Sequence, residues 1–196
     1  SFDVATNIAQ TAVNMAKSAN VATGKVLSDM ASNAETFAKF SMDGAKGLAE
    51  AAIEAAKIGG SLETILTSAD KLLNFEESLT AQFKAQVLTG KQLNLERARQ
   101  LSLEGDIAGF TEEIQSVIGG LGDLQALNVV QRQAVADAIG ISVRELQRIA
   151  AGEQAQERET VQDKLDVSNG FLREIAGYTS ETAAKDNSVE VIQPVF

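Results

Sequence analysis

An all-α fold is predicted by three features of this 196-residue chain. The only proline is Pro194, so no residue before it breaks a helix interior. The apolar residues lean on alanine, with one Tyr and no Trp. Such side chains build thin seams between helices rather than one thick core. Finally, apolar residues recur at 11- and then 7-residue spacings, the periods of helical stripes. The expected architecture is long coiled-coil-like helices, then a small multi-helix module with a helix-turn-helix-like hairpin, then a short extended C-terminal tail.

Residues 1–58 read as a long helical arm. Val4, Met15, Val26, Phe37 and Leu48 are 11 apart, and so are Ile8, Ala19, Met30, Ser41 and Ala52. The two tracks are offset by one helical turn, which suits a straight or faintly right-handed bundle. A stripe this rich in Ala and Ser leaves a lone helix marginal in water. Parallel copies of the chain are the simplest partners, with Val4, Ile8, Met15, Val26, Met30, Phe37 and Leu48 at the interface. An antiparallel hairpin, or an ordinary amphipathic helix packed within one subunit, is the alternative.

Gly59-Gly60 interrupts the arm, and Ser61 is placed to cap a second helix over 61–89. Ile58, Leu62, Ile65, Ala69, Leu72, Leu79 and Phe83 follow a coiled-coil rhythm, with Glu76 as a polar intruder. Thr89-Gly90 ends it.

Residues 91–152 read as a compact module of short capped helices. Asn94 opens a helix to 104, Asp106 one to about 118, and Asp123 a single turn. Asn128 with Gln131 caps 129–139. Ser142 with Glu145 forms an S-x-x-E box for 143–151. Gly105, Gly119-Gly120, Gly140 and Gly152 are the stops. The core candidates are Leu93, Leu95, Ala98, Leu101, Ile107, Phe110, Ile114, Val117, Leu124, Leu127, Val130, Val135, Ile139, Ile141, Leu146 and Ile149.

The segment "VADAIGISVRELQRIA", Val135 to Ala150, has helix-turn-helix spacing: small Ala136 four before Gly140, with Val135, Ile139, Ile141, Leu146 and Ile149 as the apolar set. Arg144, Gln147 and Arg148 would be the base-contacting residues if it read DNA. The chain carries a net charge of −10, which phosphates repel. The spacing is therefore read first as a rule for packing two helices, with nucleic-acid binding as the alternative.

Catalysis is not expected. With no Cys and no His, disulfides, thiolate and imidazole ligands and the usual general base are excluded. Glu50 and Glu54 share a helix face but read as solvated, and adjacent pairs such as Glu112-Glu113 point apart. Glu77-Ser78 matches a dipeptide of lytic transglycosylases, which carries almost no information. "VATGKV" lacks the first glycine and the hydroxyl of a phosphate loop. No cofactor or metal site is expected. The most apolar stretch, Gly47 to Gly60, carries Glu50, Glu54 and Lys57 and falls short of a membrane span; a membrane-active helical protein is a second alternative.

Residues 153–196 read as helical, with an apolar face from Val161, Leu165, Val167, Phe171, Leu172 and Ile175, then extended in "SVEVIQPVF". That ending could add to a partner's sheet edge.

The stretch from Leu88 to Leu146 also resembles a segment of the tape-measure proteins of contractile-tailed bacteriophages. The shared words are Gly90-Lys91, Leu93-Asn94-Leu95, Ala98-Arg99, Leu103 to Asp106, and Asn128 to Gly140. The resemblance implies a structural virion protein of the tail tube and baseplate hub that sets tail length and docks on tail-tip proteins. It implies several copies, with three in parallel as the expected assembly, and membrane contact only during infection. It implies no catalytic residue. Tape measures are much longer than this chain, which begins at Ser1 and reads as a piece of one.

Overall fold

The computed structural model describes residues 2–40 and 44–152, with side chains from Asn7 onward. These residues are helical, without strands: α1 Phe2–Ser18, α2 Thr23–Phe37, α3 Gly44–Lys57, α4 Leu62–Leu73, α5 Phe75–Thr89, α6 Glu96–Glu104, α7 Ile107–Gly120, a single 3₁₀ turn at Leu124–Ala126, α8 Val129–Ile139 and α9 Val143–Ala150. The expected helix and strand of residues 153–196 lie outside the described residues.

The continuous arm of residues 1–58 is corrected to three helices. Asn20 adopts a left-handed conformation at φ 57°, while the Asn20 and Val21 N–H groups donate to Lys17 and Ala16 carbonyls at 3.1 and 3.0 Å. Asn tolerates this conformation better than most residues, so it can close a helix. The chain then doubles back, and α1, α2 and α3 pack on one another. Val26, Met30, Phe37 and Leu48 lie in the chain's own core, with Ile8 and Met15 partly buried against it; the side chain of Val4 lies outside the described ones. The stripe assigned to parallel copies is thus used within one subunit. A tethered neighbour satisfies a marginal helix at the entropic cost of closing a short loop, which is small.

The second long helix is corrected as well. Ser61 caps α4 as expected, its hydroxyl accepting from the Thr64 N–H at 3.2 Å. Asp29 of α2 accepts a further bond from the Leu62 N–H at 3.1 Å. Ile58, Leu62, Ile65, Ala69 and Leu72 are buried, so the rhythm holds that far. At Asn74, φ −78° and ψ 84° interrupt the helix, and α5 leaves on a new axis. Leu79 and Phe83 then face outward, while the small Ser78 and Ala85 are buried. Small side chains suit the extensive pairing of α5 with α8, where Ala134 and Ala138 are buried in turn.

From Leu93 to Ala150 the capped helices follow the sequence closely. Asp106, Asp123, Asn128 and Ser142 each accept a backbone N–H at the start of their element, and the last two form full capping boxes. Asn94 accepts from the Glu96 N–H at 3.0 Å, so α6 starts one residue later than expected. Fourteen of the sixteen expected core residues are buried; Val117 is only partly so and Val130 is exposed. Both miss because each lies at the margin of its helix's buried stripe. A single core runs from α1 to α9: α3 and α4 pack on α7, and α4 also packs on α6. The turns near residues 60 and 90 lie within this packing.

Candidate functional site

The hairpin of α8 and α9 forms at Gly140, as its spacing predicts. Gly140 sits at φ 86° and receives no ordinary side chain: a Cβ there would meet Lys71 Cδ and Cβ at 3.2 and 3.3 Å and the Ser68 Cα at 3.3 Å. Those atoms belong to α4, which lies across the turn. The Ser68 hydroxyl donates to the Ile139 carbonyl at 2.5 Å, and Lys71 Nζ to the Gly140 carbonyl at 3.3 Å. The last carbonyls of α8 are thus held by a neighbouring helix.

That position decides how α9 can be used. A recognition helix must offer its first turns to the groove. In this chain the first turn of α9 is tied to α4 through a hydrogen bond from the Thr64 hydroxyl to Glu145 Oε1. Burial raises the Glu145 pKa, but bonds from Thr64 and from the Ser142 N–H and hydroxyl, with Arg148 nearby, outweigh it and hold the carboxyl below its ordinary value. A firmly ionised glutamate beside this turn opposes phosphate. Arg144 is exposed, whereas Gln147 and Arg148 are half-buried, and the Nε of Arg148 is enclosed without a hydrogen-bond partner. The three residues named as base contacts therefore do not form one open basic face. Between α4 and the hairpin lies an open cleft of roughly 490 Å³, lined by Ser61, Glu63, Thr64, Thr67, Lys71 and Glu145 among others. Its lining mixes charges and hydroxyls, with the Thr64 and Ser142 hydroxyls both bonded to Glu145.

A second polar cluster was not legible as a site. Arg99 is buried between α5 and α6, donating from Nε to Ser78 Oγ at 2.9 Å and from its terminal nitrogen to Gln82 Oε1 at 2.5 Å. Gln82 and Gln86 in turn donate to the Leu93 carbonyl at 2.7 and 2.8 Å. Burial lowers the Arg99 pKa and Glu96 raises it, with burial the larger effect. Lys91 Nζ donates to the Leu121 carbonyl, and the Ser102 hydroxyl to that of Ala69 at 2.8 Å. Periodicity gives no warning of a buried arginine; only its small neighbours Ser78 and Ala98 leave room for one.

The carboxylate pairs are dispersed. Glu50 pairs with Lys46 at 3.4 Å and Glu54 with Lys57 at 2.5 Å, so neither contributes to a shared acidic centre. Ser78 is taken by Arg99 while Glu77 is exposed. Among the described residues no group of three or more acidic side chains converges to hold a metal ion, and no helix is long and apolar enough to cross a membrane. What the arrangement offers is a helical module whose polar groups are engaged mainly with its own helices. No family model, curated protein or solved structure matches the chain.

Proposed function

We propose that the chain is a structural segment of a bacteriophage tail tape-measure protein, located in the virion, whose helical module docks on tail-tube or baseplate-hub proteins. The observation that carries this reading is the run of shared words between Gly90 and Gly140. Most of these words have a structural task in the module. Gly90 and Gly140 take left-handed turns, Lys91 reaches the Leu121 carbonyl, Leu93 and Leu95 are core, Arg99 braces α5, and Asn128 caps α8. A segment in which many of the shared residues serve packing and turns, while Leu103 and Val129 stay exposed, suits a protein used for its shape and surface. Because Val26, Met30, Phe37 and Leu48 are consumed inside the subunit, any assembly of copies in this reading uses other surfaces. A parallel trimer therefore loses the stripe that motivated it.

Immunolabelling tests the proposal. Antibody raised against the folded chain should decorate the tails of particles from the phage that encodes it, or of tails opened by mild denaturant. Mass spectrometry of purified virions should recover its peptides. Peptides found only in infected-cell extract, never in purified particles, would end the virion reading. A DNA titration at low salt is the companion measurement, with no binding expected.

A further inference from the structure

The most extended apolar strip left uncovered among the described residues lies on α5. Phe75, Leu79, Phe83 and Val87 follow at four-residue steps and are 47, 53, 69 and 65% exposed. That spacing places them along one side of the helix. On the rest of α5, Ser78 and Gln82 hold Arg99, and small residues meet α8. Together these side chains expose roughly 400 Å² or more of apolar area, the size of patch that marks an interaction site.

We propose that this face docks a second copy of the chain, α5 against α5, antiparallel about a twofold axis that crosses the strip between Leu79 and Phe83, level with Ala81 but on the side of α5 away from α8. Two features of the strip select this occupant. First, it is self-complementary, as an isologous contact requires. Phe75 and Val87 stand at equal distances on either side of Ala81, as do Leu79 and Phe83. Antiparallel pairing sets Phe75 against Val87 of the second copy and Leu79 against its Phe83. Second, the charges on α5 are polarised. Glu76 and Glu77 lie at its start, and Lys84 is the only charge in its second half. Antiparallel pairing brings each Lys84 beside the glutamate pair of the other copy, whereas parallel pairing stacks glutamate on glutamate. The area per copy is below that of standard stable interfaces. The dimer is therefore concentration-dependent, with Kd on the order of 10 µM.

The dimer is independent of the tail reading: its failure shows in mass, that of the tail reading in labelling. Sedimentation equilibrium of the whole chain, run from well below to well above about 10 µM, tests it. The mass should rise from 20.7 kDa to twice that value. Leu79→Asp and Phe83→Asp should each hold the chain at monomer mass, and well below about 10 µM, where the parent is monomeric too, they should melt as the parent does, because both side chains are already exposed. Lys84→Glu should weaken the dimer at least tenfold, and adding Glu76→Lys and Glu77→Lys to it should restore most of that loss. Monomer mass at every concentration, a trimer, or a dimer indifferent to Leu79→Asp and Phe83→Asp would each overturn the proposal.

Discussion

Gly140→Ala tests whether α4 locks the α8–α9 hairpin, and its cost can be worked out against an internal control. Gly140 and Gly90 both adopt left-handed backbone, at φ 86° and 66°. Placing an L-residue there costs about 1–2 kcal/mol in either case. Around Gly90 a Cβ would find open space; at Gly140 it would come within 3.2–3.3 Å of Lys71 and of the Ser68 Cα. The lysine carbons can swing aside, but the α4 backbone cannot move without opening the Ser68–Ile139 bond. Overpacking of this kind costs a further 1–3 kcal/mol or so. Gly140→Ala should therefore destabilise by about 3 kcal/mol and Gly90→Ala by about 1 kcal/mol. Urea unfolding followed by far-UV circular dichroism gives both values, provided the m-values match. Equal losses in the two variants would refute the close approach of α4 to the turn.

Two further outcomes follow from buried polar groups. Arg99→Met keeps most of the alkyl stem but removes the bonds to Ser78 and Gln82, and should cost about 2 kcal/mol in the same urea assay; a variant as stable as the parent would mean that desolvation of the guanidinium cancels those bonds. Glu145 is held below its ordinary pKa, so the folded chain binds fewer protons there than the unfolded chain does. Its contribution is complete above the unfolded-state value near 4.5 and is lost as pH falls through the lower folded-state value. Melting temperatures taken from pH 7 down to about 3 should therefore fall less steeply for Glu145→Gln than for the parent across that acidic window. Parallel curves would show that Glu145 is not the group responsible.

Local signals were legible in the sequence, and choices between partners were not. Caps at Ser61, Asp106, Asn128 and Ser142 depend on atoms within a few residues, and all form. The turn at Gly140 is equally local. The 11-residue stripe correctly named Val26, Met30, Phe37 and Leu48 as residues needing cover, but periodicity does not say whether that cover is another copy or the chain itself. Asn20 held the answer: one residue able to adopt a left-handed turn converts an arm into a bundle. Asn74 acted similarly. Asn74 with Glu77 three residues on is a helix-start pattern, yet the apolar rhythm from Ile58 to Phe83 masked it. The buried Arg99 had no local signal, since its partners Ser78 and Gln82 lie on a different helix.

The helix-turn-helix spacing shows that a packing motif does not by itself supply a nucleic-acid-binding face. Ala136, Gly140, Ile141 and Leu146 are small or apolar because two helices meet at a steep turn, and the structure buries all four. DNA reading would need something the spacing does not contain: an open first turn on α9 and net positive charge around it. Thr64 of α4 bonds to Glu145 in that turn, and the Glu145 carboxylate adds negative charge there. The same reasoning applies to the phage-tail words. Gly90, Lys91, Leu93, Arg99 and Asn128 are satisfied inside the module, so they specify its shape. Discrimination among partners must then lie in the residues the fold leaves unsatisfied, and Phe75, Leu79, Phe83 and Val87 are the most extended such set among the described residues. Chains sharing the interior words while differing along this strip should fold alike and associate differently.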